Sequence, residues 1–212
     1  MKFGKFIVFE GINGCGKGTQ LDLMYSYIRN SGKAVPILTT GEPNDFDENG
    51  RKAREMLRSD GDPYSNNLSA VKYFARNRGA HNKIFVPMLE KGINVVSDRY
   101  WHSNFAFQSA QGVNSKDIAM ANNGYRVPDL TIILDVPVEI AFDRLNLRDG
   151  KTRRKFDRDE KFLNKVCENY LGLPKILLKL MGEKNIVITN GARSIEAVFE
   201  DIKLAYDTLL KS

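Results

Sequence analysis

The residues best placed to do chemistry stand together near the start of the chain, in Gly11-Ile12-Asn13-Gly14-Cys15-Gly16-Lys17-Gly18-Thr19. An apolar, strand-forming run, Phe6-Ile7-Val8-Phe9-Glu10, leads into them. Leu21, Met24, Tyr25 and Ile28 follow at the i, i+3, i+4, i+7 spacing of a helix. Strand, glycine-rich turn, lysine and helix in that order describe a phosphate-binding loop. Glycines let the backbone turn tightly with its N–H groups aimed at one centre, and the helix adds its unpaired N–H groups and positive dipole end. Lys17 adds a mobile positive charge for the outer phosphates. Glycine stands at position 18, where the usual motif has the Ser or Thr whose hydroxyl meets Mg²⁺; Thr19 comes one residue later.

Other groups could join this loop. Asp98 and Arg99 follow an apolar run and suit metal and phosphate, or a structural ion pair at a strand end. Phe74 and Arg78 are four apart, so on a helix they share one face, as ordinary surface pairs also do. Arg144, Arg148, Lys151, Arg153, Arg154 and Lys155 form a basic cluster, which reads as a solvated face or an anion-binding loop.

The elements that must hold these groups alternate. Strands are predicted over 6–10, 34–40, 94–98, 130–135 and 186–189. Helices are predicted from about Leu21 to Ser31, over 50–58, 68–90 with a bend near Pro87, 99–111, a short one capped by Ser115, 138–148, 160–181 interrupted near Gly172 and Pro174, and 195–209. This order predicts an α/β fold: a five-stranded parallel sheet flanked by helices, with ligands at the strands' C-terminal ends. At 212 residues the chain is expected to be a single domain. The net charge of +6 allows nucleic acid or a small anionic substrate, and the phosphate loop favours the substrate. Two cysteines exclude a disulfide framework and fit a reducing cytoplasm. No run reaches membrane-spanning length, so no membrane is expected as a partner, and with the phosphate loop favouring a small anion nucleic acid is not expected either.

Several stretches, in order, resemble the thymidylate kinase family of phosphate-loop nucleoside monophosphate kinases. They are Phe9-Glu10-Gly11 with Gly16-Lys17 and Thr19-Gln20; Gly41-Glu42-Pro43; Gly50-x3-Arg54-x2-Leu57; Phe74-Ala75-x2-Arg78; Asp98-Arg99-Tyr100-x2-Ser103-Asn104-x-Ala106-Phe107-Gln108; and Pro128-Asp129-Leu130-Thr131. The resemblance implies transfer of the ATP γ-phosphoryl group to dTMP, giving dTDP and ADP, with Mg²⁺ as cofactor and a homodimer as the assembly. Residues 11–19 would bind ATP, and Asp98 would hold Mg²⁺ through water. Arg99 would bridge acceptor phosphate and transferring group. Glu42, Pro43, Arg54, Phe74, Arg78, Arg99, Asn104 and Phe107 would bind the acceptor. Phe74 would stack on the base, Arg78 would donate to a base carbonyl, and Phe107 would crowd the ribose 2′ position, unless it is a core aromatic. A mobile lid over about 149–157 would add Arg148, Arg153 and Arg154 to the catalytic set beside Lys17 and Arg99.

Two further positions depart from the family pattern. The family often has Asp or Glu at 13, facing the acceptor sugar's 3′-hydroxyl, and usually Arg at 41, near the acceptor phosphate. Here they are Asn13 and Gly41, and Arg54 or Arg51 would have to replace the arginine. A kinase for another nucleoside monophosphate, or for several, is therefore the alternative. A GTP-driven switch is disfavoured because no Asn-Lys-x-Asp motif is present.

Overall fold

The computed structural model describes residues 3–31, 36–65, 67–149 and 155–211. Their order is β1 (Phe6–Glu10), α1 (Lys17–Asn30), β2 (Ile37–Gly41), α2 (Glu48–Arg58), α3 (Asn67–Glu90), β3 (Asn94–Asp98), α4 (Trp101–Ser103), α5 (Ser115–Asn122), β4 (Leu130–Asp135), α6 (Val138–Asp149), α7 (Glu160–Met181), β5 (Ile186–Asn190) and α8 (Ile195–Lys211). A π-helical stretch, Asn104–Gln108, continues α4, and a 3₁₀ turn, Lys155–Arg158, precedes α7.

The five strands form one parallel sheet in the order β2-β3-β1-β4-β5. Helices α1 and α8 pack on one face, α3 and α7 on the other. Both faces are thus covered, which is why β1 and β4 are nearly unbroken apolar runs. Phe6 to Phe9, Val95, Val96, Ile132 and Ile133 are fully buried at the centre.

The register matters for function. Asp98 stands opposite Phe9 on one side and Gly41 on the other, so β1, β2 and β3 end together. Arg99 N–H donates to the Phe9 carbonyl and Glu42 N–H to the Asp98 carbonyl, carrying the alignment one residue past the strands. This common edge is where ligands sit in such sheets.

Several elements differ from their sequence-based expectation. The first helix begins at Lys17, four residues before its apolar stripe, with Gly16 as its left-handed N-cap. The third helix is one element with Pro87 inside it, and α7 runs without a break through Gly172 and Pro174. Leu173 and Leu177 are buried together with Tyr170, so packing of this face outweighs the local breaker signal. The N-cap of α5 is Asn114, whose side chain accepts from Lys116 N–H, and not Ser115. Arg99 is not helical: it has φ 73° and precedes the helix.

Candidate active site

The phosphate loop turns where β1 ends. Gly14 has φ 82°, and an added Cβ there would stand 2.4 Å from the Ala141 carbonyl oxygen, so only glycine fits. Lys17 folds back over the loop, its ammonium 3.1 Å from the carbonyls of Gly11 and Ile12. Asn13 reaches out of the loop toward β3. Gly18 and Thr19 are exposed, and a Cβ on Gly18 would meet nothing within 4 Å. Arg144 of α6 bonds the Cys15 and Gly191 carbonyls, so a cation from the basic cluster lies against the loop.

Beside the loop, at the ends of β2 and β3, opens a cavity of about 680 Å³. It brings together Asn13, Glu42, Pro43, Arg54, Phe74, Arg78, Asp98, Arg99, Asn104 and Phe107, residues drawn from the phosphate loop, the turn after β2, α2, α3, the end of β3 and the π-helical stretch. Phe46 and Phe156, not singled out from sequence, also line it. Arg51 does not, so of the two arginines that could replace one at position 41, Arg54 faces the cavity. Its side chain bonds the Pro43 carbonyl at 2.6 Å and Asp45 at 2.7 Å.

Arg78 is buried. Its Nε and Nη2 lie 2.8 Å from Glu42 Oε2, and Nη1 donates to Asn104 at 2.8 Å and to Asn122. His81 holds the other Glu42 oxygen at 2.9 Å and reaches the Thr40 hydroxyl with its second nitrogen. Most of the Arg78 donors therefore build the cavity wall.

Arg99 is placed differently. Nη1 donates to Ser103 at 3.0 Å and Tyr170 at 3.3 Å, and Nη2 to Asn13 Oδ1 at 2.8 Å. Ser103 and Tyr170 in turn donate to Glu10 at 2.8 and 2.9 Å. Burial opposes the charge on Arg99, but Tyr170, Asp98 and Glu10 outweigh it, and the guanidinium stays protonated. Glu10 is fully buried. Burial alone would raise its carboxyl, yet His102, Arg99 and the Tyr100 N–H hold it down at about 2. His102 is pushed the other way. Burial would lower it, but Glu183 at 2.8 Å and Glu10 at 3.6 Å raise it to about 9. Sequence reading missed this network. Its one signal was a carboxylate closing an apolar strand.

Asp98 lines the cavity, and its Oδ1 is buried without a hydrogen-bond partner. An unpaired carboxylate oxygen at this edge fits a metal-bound water. Among the described residues no three His, Cys, Asp or Glu side chains cluster as a metal site. Arg148 is exposed near the end of α6. Arg153, Arg154 and most of the expected lid lie outside the described residues. No described helix is long and apolar enough to cross a membrane.

Comparison with known proteins gives one family. The model of the family described as thymidylate kinase matches residues 9–202. A probable thymidylate kinase of Pyrococcus abyssi is 37% identical over 204 residues, covering 94% of each chain. A probable thymidylate kinase of Thermococcus kodakarensis is 33% identical over 97% of this chain and 98% of its own. The thymidylate kinase of Thermosipho africanus is 32% identical over 98% of this chain and all of its own. With the family match running from the end of β1 into α8, and with relatives alike over nearly their whole length, the chain belongs to the thymidylate kinase family.

Proposed function

We propose that the protein is a thymidylate kinase that moves the γ-phosphoryl group of ATP onto dTMP, giving dTDP and ADP. The observation that carries this reading is the position of Arg99. Its guanidinium lines the cavity and is bonded to Asn13 of the phosphate loop, so one planar fork faces both nucleotide sites. The reaction needs such a group. The acceptor oxygen is already anionic, because a phosphate monoester's second pKa is about 6. No general base is required; the barrier lies in aligning two anions and neutralising charge as it shifts. Lys17 and the loop N–H groups hold the donor tail. Arg99 spans acceptor phosphate and transferring group through bidentate contacts.

Arg54 stands in for the missing arginine on the acceptor phosphate. Phe74 stacks on the base, Asn104 and the remaining Arg78 donor read its polar edge, and Phe107 crowds the 2′ position. Asp98 would hold Mg²⁺ through water, and the bound ion would offset phosphate charge. A lid over about 149–157 of the same domain is supported by the family resemblance, and Arg148, near the end of α6, would add its charge to that of Arg153 and Arg154 at the transferring phosphate. The family resemblance supports a cytoplasmic homodimer, which sedimentation of the purified chain tests.

An ADP-coupled assay across dTMP, dUMP, UMP, CMP, AMP and GMP tests the acceptor. Preference for dTMP is expected, and equal rates for AMP and dTMP overturn it. A kinase of broader acceptor range is the second reading, favoured by Asn13 and Gly41. Lys17→Ala and Arg99→Ala should each lower turnover by about 10²–10³, the usual effect of losing one preorganised donor to a transition state.

A further inference from the structure

Asn13 does more in this structure than face a sugar. Its amide nitrogen lies 3.0 and 3.1 Å from the two oxygens of Asp157, which is buried in the 3₁₀ turn before α7. Its carbonyl oxygen accepts from Arg99 Nη2. The amide therefore has one possible orientation: donor end to Asp157, acceptor end to Arg99. Both terminal nitrogens of Arg99 are handled alike. Nη1 is held through the neutral hydroxyls of Ser103 and Tyr170 by buried Glu10, and Nη2 through a neutral amide by buried Asp157. Among the described residues the nearest direct approach to a carboxylate, Glu10 at 3.8 Å, is too long for a hydrogen bond. The guanidinium is thus oriented from two sides without being covered by a bidentate acid, which would compete with phosphate for the same fork.

We propose that Asp157 is a positioning residue for phosphoryl transfer, acting through the Asn13 amide to fix the Arg99 fork beside the cavity. The asparagine at position 13 is its complement. An aspartate there could still accept from Arg99 but would set two carboxylates about 3 Å apart, and like charges at that distance cannot both stay ionised at ordinary cost. The neighbouring residue ties the same turn to the cavity: Phe156 lines it and packs edge-on against Phe107 at 5.8 Å. The inference rests on the role of Arg99 given above.

A charge exchange in the full chain tests it. Asn13→Asp should lower kcat with the acceptor about tenfold. Asn13→Asp combined with Asp157→Asn, which restores one acid facing one amide, should recover about threefold of that loss, the rest being the cost of the carboxylate that then faces Arg99 Nη2. Asp157→Ala should cost about tenfold and Asp157→Asn markedly less, because an amide oxygen can still accept from Asn13. A general loss of packing would not be repaired by the second substitution, so recovery in the double variant is the deciding result. If the double variant is no faster than Asn13→Asp while Arg99→Ala still lowers turnover by the expected factor, the coupling is wrong and the reading of the reaction stands. If Arg99→Ala itself leaves turnover intact, both fall together.

Discussion

Gly18 and Arg78 show how a side chain's surroundings decide what its replacement would do. Nothing within 4 Å of Gly18 demands a glycine, and its φ is not in the left-handed region. Gly18→Ala should therefore stabilise the first turn of α1 by about 0.5–1 kcal/mol, read as a rise in urea midpoint with unchanged slope. Arg78 is the opposite case. Arg78→Ala would leave Glu42 buried with only His81 beside it. The chain should lose about 3–5 kcal/mol in urea unfolding, besides losing affinity for the acceptor base. The family resemblance grouped Asp98, Arg99 and Phe74, and these three line one cavity, with Lys17 in the phosphate loop beside it. The bonds of Arg78 to Glu42 and Asn122 were not readable, because they join residues 36 and 44 apart in sequence. Nor was the Asn13–Asp157 contact, which spans 144.

Among elements, α2 carries the clearest dependence on a single cap. Asp47 accepts from Gly50 N–H at 2.8 Å and from the Asn77 amide of α3, so one carboxylate starts the helix and pins it to its neighbour. Asp47→Ala should cost about 1–2 kcal/mol. Amide exchange should quicken across α2 and the loop between β2 and α2 more than across the central strands. Strands β1 and β4 were legible because a run of buried apolar residues has few other uses, whereas β2 and β5 are mostly half-buried. Helix ends and interruptions were less so. Gly172 and Pro174 signal a break locally, while the buried stripe of α7 extends across both. The π-helical stretch at Asn104–Gln108 has no recognisable sequence mark; Asn104, Phe105, Ala106 and Gln108 are all buried in it.

At the scale of the whole molecule, stability should depend on pH through the buried ions that link β1 to the end of α7. His102 has a folded pKa of about 9 against an ordinary 6.5, so its contribution is complete below 6.5 and is lost as pH rises through 9. Glu10 has a folded value of about 2 against 4.5, so its contribution is complete above 4.5 and is lost as pH falls toward 2. From these two groups the plateau should lie between about 4.5 and 6.5. Urea midpoints measured from pH 6 to 9.5 should fall in the native chain, and fall less steeply, from a lower start, in His102→Gln.

Arg99 has a consequence of its own, because its φ of 73° lies where a side chain of its hand is uncomfortable. Arg99→Gly and Arg99→Ala would be equally poor enzymes, since both lack the fork. The glycine variant should nonetheless resist urea better than the alanine one by about 1 kcal/mol, because glycine tolerates that twist and alanine does not. The gap between two inactive proteins would then measure, free of any kinetics, how much backbone comfort the fold gives up to keep an arginine at this corner.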